Sequence, residues 1–173
     1  MHHLKKFIVC FLLIPMVFTA QESDYVKDIA DYLDNNASMK QYEYAYDALL
    51  KMMAGTYPKN DRNAQGWEYL ETNKEKALAD IKKKLIPIYK ANFTHGEIKQ
   101  MSAFYSSETG LQLINDRSKM TAAHKEELNA FYNSTTGQKI ISKQEILTKE
   151  IGMASDSWSR DLYETSLSLL QNE

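Results

Sequence analysis

The residues that could do chemistry are few and far apart in this chain. Beyond His2 and His3 at the start there are two histidines, His95 and His124, and neither stands in an HExxH frame or beside a cysteine at metal-ligand spacing. Either could serve a hydrolase as general base with a carboxylate to orient it, which is the alternative function. Ser107 and Ser134 would need an adjacent histidine and an oxyanion donor pair to attack an acyl group. The chain has no GxSxG, and both serines stand where a helix N-cap belongs. Glu126-Glu127 and Glu43-Asp47 are paired carboxylates of the kind common on exposed helix faces, and no glycine-rich phosphate loop is present. Lys82, Lys83 and Lys84 fan over about 200° of a helix beside the apolar Ile81 and Leu85, so they read as a solvated face. The balance is against catalysis, and no catalytic, cofactor-binding or metal-binding residue is assigned.

What the chain does carry is an internal repeat. Phe104-Tyr105-Ser106-Ser107-Glu108-Thr109-Gly110 recurs 27 residues later as Phe131-Tyr132-Asn133-Ser134-Thr135-Thr136-Gly137. Thr94 with Glu97 three residues on forms a capping box, and Phe93 and Ile98 occupy the staple positions around it. Ser107 then caps a second helix, with the acid Glu108 at its first position. Gly110 falls at the third helical position, where glycine costs about 1 kcal/mol against alanine. Its recurrence at Gly137 predicts that another backbone or an aromatic ring, from Phe104, Phe131 or both, lies against it. Each copy, residues 94–119 and 121–146, is expected to be a helix, a near-zero-length corner and a second helix. In the second copy His124 replaces Glu97 and Lys125 replaces Ile98, so that helix start should be looser.

The remaining elements follow from 3.6-residue spacing. A helix over residues 24–34 is expected, capped by Ser23 or Asp24 and ended by Asn35-Asn36. A second, capped by Ser38, has the stripe Met39, Tyr42, Tyr46, Leu49, Leu50 and Met53 and closes with Gly55 at C′; residues 57–61 are a loop. A third runs from about Gln65 to Asn92, with a kink or break at Pro87, which offers no N–H to the carbonyl of Lys83. After Gly137 the stripe Ile140, Ile141, Leu147, Ile151, Ala154, Trp158, Leu162 and Leu169 suits one long C-terminal helix, weakened near Gly152. No segment alternates as a strand would, so the fold is all-α with about six to seven helices. Of the eleven tyrosines, Tyr42 and Tyr46 read as core residues with solvated hydroxyls, and Tyr44, Tyr57 and Tyr69 as candidate contact residues.

Residues 1–20 have the parts of a signal peptide: Lys5-Lys6, an apolar run from Phe7 to Phe18, and Ala20 before a polar stretch. The run is short for a membrane span, so no stable span is expected after cleavage, although Phe18 leaves open whether the segment is cut or retained as an anchor. Cleavage would remove Cys10, the only cysteine, and with it any disulfide or thiol chemistry. It also takes away Lys5 and Lys6 and no acid, so Lys+Arg falls from 21 to 19 against 23 Asp+Glu, a net charge of −4. A mildly acidic chain argues against nucleic acid as partner. The expected organisation is a signal peptide at 1–20, an N-terminal helical pair at 21–60 and a helical domain with the repeat at 61–173, exported to the periplasm or beyond. The expected role is that of a non-catalytic module binding a protein, peptide or envelope component between its helices.

The run Pro87-Ile88-Tyr89-Lys90-Ala91-Asn92-Phe93-Thr94, with Glu97 three residues on and then Phe104-Tyr105-Ser106-Ser107 and Gly110, resembles the exported bacterial family called domain of unknown function 2059. Its pattern reads approximately as PxYxxxFTxxE, then FYxS, a proline, any residue and glycine. The likeness covers residues 85–115 well and the second copy more weakly. Glu108 stands where the family usually has proline, which suits a first helical turn equally; Gly96 and Leu111-Gln112 also depart. The resemblance implies a small, helical, exported bacterial protein, and it carries no known chemistry and no functional residues.

Overall fold

The apolar spacing produces helices along the whole length that the computed structural model describes, residues 14–171. In order they are α1 (Ile14–Asn35), α2 (Ser38–Thr56), α3 (Ala64–Thr72), α4 (Lys74–Asn92), α5 (His95–Tyr105), α6 (Glu108–Asp116), α7 (Ala122–Asn133) and α8 (Thr135–Leu170), with a 3₁₀ turn at Arg117–Lys119. There is no strand among the described residues. The 36-residue α8 is about 54 Å long at 1.5 Å per residue, and it is the beam on which the shorter helices lean. One core cluster joins Ile29 and Leu33 of α1, Met39 and Tyr46 of α2, Ile81 and Leu85 of α4, Ile98 and Met101 of α5 and Trp158 of α8. Each such side chain contributes on the order of 1.5–3 kcal/mol by burial. A smaller cluster, Met53, Trp67, Leu70 and Leu170, ties α2 and α3 to the far end of α8.

Several expectations need correction. The break in the third helix falls at Asn73 and not at Pro87; the count of eight helices is close to the six to seven expected. The Tyr46 hydroxyl donates to the carbonyl of Leu70 at 2.6 Å, the acceptor that the Lys74 amide would use in an unbroken helix, and Asn73 Nδ2 bonds back to Tyr69 O at 2.9 Å. Pro87 is carried inside α4; it and Lys83 are both exposed, so water can serve the carbonyl that proline leaves unpaired. Ser23 and Asp24 cap nothing, because α1 already begins at Ile14. Residues 1–13 of the expected signal peptide lie outside the described residues. At the start of α2 the cap position is Ala37 and not Ser38; Ala37 has no capping side chain and adopts the left-handed φ of 64° that lets the chain reverse, and Asn36 Oδ1 before it accepts from the Ser38 amide at 2.9 Å. Gly55 is helical, and α2 continues to Thr56. The hydroxyls of Tyr42 and Tyr46 are bound to protein, Tyr42 to Ser155 Oγ at 2.7 Å and Tyr46 to Leu70. Ile141 is 49 % exposed and leaves the inward stripe of α8.

Of the lysine run in α4, Lys83 is exposed and Lys82 and Lys84 are half-buried; Lys82 pairs with Asp34, Lys83 with Asp80 and Lys84 with Asp161, and such pairs contribute little each. No helix among the described residues is long and apolar enough to cross a membrane.

Candidate functional site

The repeated stretch builds two matching corners. In the first, the Thr94 hydroxyl accepts from the Glu97 amide at 3.3 Å and Glu97 Oε2 accepts from the Thr94 amide at 2.7 Å, closing the capping box. Phe93 and Ile98 are buried on either side. Ser107 Oγ accepts from the Gly110 amide at 3.2 Å and donates to the Phe104 carbonyl at 2.8 Å, so one hydroxyl closes one helix and opens the next. A Cβ on Gly110 would lie 2.1 Å from Phe104 O and 2.6 Å from Tyr105 Cα. Of the two expected neighbours it is the backbone that lies against the glycine, because two helices joined without a loop must cross at their ends. The second corner repeats this: Ser134 Oγ accepts from Gly137 N at 3.1 Å and donates to Phe131 O at 2.6 Å, and a Cβ on Gly137 would lie 2.2 Å from Phe131 O. In its capping box one bond is longer than in the first, His124 Nδ1 accepting from the Thr121 amide at 3.4 Å, whereas the Thr121 hydroxyl accepts from the His124 amide at 3.2 Å, much as in the first copy.

The copies pack about a pseudo-twofold axis. Phe104 and Phe131, equivalent in the repeat, stack face to face with centroids 4.0 Å apart and planes 4° from parallel. Thr109 of the first copy is fully buried and donates to Glu127 Oε2 of the second at 2.5 Å; Thr136 of the second copy is 2 % exposed and donates to Gln100 Oε1 of the first, also at 2.5 Å. Thr109 and Thr136, like Gln100 and Glu127, are 27 residues apart, so each copy gives the other the same bond, the mark of a self-complementary interface. Burial, followed by the hydrogen bond of the Tyr105 hydroxyl to Tyr132, its repeat partner, pushes that hydroxyl well up. Tyr89 is pushed up to about 12, mainly by burial. Both stay protonated, and with Tyr32, stacked edge-on against them, they make a polar-tipped core.

The axis does not bring the histidines together. His95 Nε2 lies 2.5 Å from Asp28 Oδ2 of α1 and its ring stacks on Tyr25 at 4.9 Å. His124 Nε2 lies 3.5 Å from Glu108 Oε1. Their side chains are 20 % and 15 % exposed, so neither is on open surface. A shallow cleft lined by Asp28, Asn35, Lys99, Ser102 and Ser106 adjoins the His95 pair. Among the described residues no hydroxyl hydrogen-bonds the His95 ring, and no cluster of three or more His, Cys, Asp or Glu could hold a metal ion.

A groove lies elsewhere. Where α3 breaks at Asn73 and turns into α4, the two helices and α8 leave a cavity of about 380 Å³. Its apolar wall is Leu70, Leu162, Trp158 and Tyr69, and Lys76, Asp80, Lys84 and Asp161 stand on its rim with no net charge. Trp158 is pinned by its Nε1 donating to Ala77 O at 2.9 Å. Burial, reinforced by the neighbouring Tyr69, raises the Tyr46 hydroxyl. Of the three candidate contact tyrosines, Tyr69 is 41 % exposed and lines this groove. Tyr44 stands 77 % exposed on α2. Tyr57 is half-buried, its hydroxyl accepting from Gln171.

Residues 79–124 and 117–164 each match the model of a family described as an uncharacterized protein conserved in bacteria, domain of unknown function 2059. Residues 79–164 belong to that family. No curated protein and no solved structure matches the chain. The first family match holds the first corner and the second match the second. Pro87, Tyr89, Phe93, Thr94, Glu97, Phe104, Tyr105, Ser107 and Gly110 fall inside the first match, and Phe131, Tyr132, Ser134 and Gly137 inside the second, where they build the two corners and the helix that leads into them. The groove is only partly made of family residues: Asp80, Lys84, Trp158, Asp161 and Leu162 fall inside the match, whereas Tyr46, Tyr69, Leu70 and Asn73 fall outside it. Sequence reasoning missed the groove, because the apolar period of the helix continues through Asn73 and hides the break there. It also missed the reciprocal threonine bonds, which the 27-residue offset could have exposed.

Proposed function

We propose that the chain is an exported, non-catalytic helical module of the bacterial cell envelope, which takes a protein, peptide or envelope component into the groove between α3–α4 and α8. The observation that carries this reading is the groove itself: an apolar floor with one half-exposed aromatic, and a rim of two lysines and two aspartates that offers both donors and acceptors. The balanced rim favours an uncharged or mixed-charge partner over a polyanion. The basic and apolar first twenty residues support export. In cells carrying a photo-crosslinking residue in place of Tyr69, a discrete adduct in the envelope fraction is expected, and Leu162→Asp is expected to remove it. No adduct, or a protein retained in the cytoplasm, overturns the reading. Ser107→Ala, a lost cap costing about 1 kcal/mol, should leave the adduct unchanged.

A second reading has one observation in its favour, the 2.5 Å pairing of His95 with Asp28 beside a cleft. Asp28 would orient the ring by holding Nε2, leaving Nδ1 to take a proton from a water. Hydrolysis of ester or amide substrates that is abolished by His95→Ala in folded protein would establish it, and its absence across such a panel would dismiss it.

A further inference from the structure

The second helix is apolar on two opposite faces, and only one of them is covered. Met39, Tyr46 and Met53 face the core. At 100° per residue, Gln41, Tyr44, Ala45, Ala48, Met52 and Gly55 occupy about 100° of arc on the other side, and all six are exposed, Tyr44 by 77 % and Met52 by 51 %. Over these 15 positions the arc holds no charged residue. An amphipathic surface helix ordinarily sends its charged residues to solvent on that side.

We propose that this face is a dimer interface, occupied by α2 of a second copy of the chain running antiparallel, with the twofold axis at Ala48. The pattern is its own complement about that residue. Tyr44 and Met52 lie four residues to either side, so each tyrosine ring meets the partner's Met52 sulfur, a favourable contact. Gln41 and Gly55 lie seven to either side, and the small Ala45 and Ala48 allow the helices to approach closely. The charges agree. Lys51 forms no ion pair among the described residues, and on its flank of the helix stand Asp47 and Glu43, both now held only by the side chain of Lys74. Antiparallel helices bring like flanks together, which sets Lys51 level with the gap between the partner's Asp47 and the partner's Glu43, about 3 Å along the axis from each. A parallel pair would set Lys51 against the opposite flank, which carries Ala45 and Leu49 and no acid. The stripe is about 21 Å long, so one helix pair buries less than a standard stable interface. The dimer is therefore weak and concentration-dependent.

Disulfide trapping in the full-length chain tests this, in a Cys10→Ser background so that the introduced thiol is the only one. With a mild oxidant, Ala48→Cys should give a covalent dimer at least tenfold above an Asn129→Cys control on the outer face of α7. Tyr44→Cys mixed with Met52→Cys should crosslink more than either alone, and Tyr44→Glu added to Ala48→Cys should reduce the crosslinked fraction at least tenfold. Sedimentation of the uncrosslinked protein should show a monomer–dimer shift that Tyr44→Glu abolishes. A strictly monomeric chain, crosslinking at Ala48 no greater than at Asn129, or Tyr44 crosslinking mainly to itself would each overturn the proposal. Tyr44 and Ala48 are outside the groove, so loss of the dimer with a retained Tyr69 adduct separates this inference from the proposed function.

Discussion

The two copies of the repeat follow one script and end in different surroundings. In the first, Ile98, Met101 and Phe104 of α5 are all buried, Ile98 and Met101 in the core cluster with residues of α1 and α4 and Phe104 against Phe131. In the second, α7 has no buried residue. The corners themselves are nearly identical, down to the serine that bonds forward to a glycine amide and back to a phenylalanine carbonyl. The difference therefore lies in what covers each copy. Where the first has Ile98 the second has Lys125, and where the first has the carboxylate of Glu97 the second has the His124 ring and a bond lengthened from 2.7 to 3.4 Å. A corner is a local object set by three or four side chains, whereas a buried helix face needs a second element to lie on it, and only the first copy has α1.

The largest test of this contrast is at the staple position. Ile98→Ala should cost about 4 kcal/mol, and Lys125→Ala no more than about 0.5 kcal/mol, both read by urea unfolding; similar losses would mean that α7 is covered in solution. The corners should behave alike instead. Gly110→Ala and Gly137→Ala each drive a Cβ against backbone and should each cost about 3 kcal/mol, and a much smaller loss at Gly137 would show that the second corner gives way. At the axis, a double-mutant cycle on Phe104→Leu and Phe131→Leu should return a coupling of about 1 kcal/mol; additivity would undo the stack.

The smallest effect is that of pH on the first capping box. Burial works to raise the Glu97 carboxyl, but the Lys139 ammonium and the Thr94 amide and hydroxyl outweigh it and hold the group below its usual range. A lowered folded value stabilises above the unfolded value, about 4.3, and that contribution is lost as pH falls through the folded one. Glu97→Gln should accordingly be less stable than the parent at neutral pH, with the gap closing below about pH 4.

Much of this was legible in the residues. Thr94 with Glu97, and Ser107 with Gly110, are short-range grammars whose partners lie three positions away, and the apolar period of α8 is long enough to outvote Gly152. The break at Asn73 was not legible, because its cause is a hydroxyl on Tyr46, 24 residues earlier. Nor was the continuity of α4 through Pro87, which depends on which side of the helix meets water. The groove follows from that same break, so it too stayed hidden.

The sequence by itself determined an all-α chain, the duplicated corner, its caps and its obligatory glycines, since each rests on spacing and contacts among residues close together in the chain. Tertiary structure alone decided that the copies face each other across a twofold, that Phe104 lies on Phe131, that the histidines turn away from each other, and that one face of α2 stays open. Those outcomes depend on which helix covers which, and that choice is made by burial of side chains distant in the chain, where no local spacing records it.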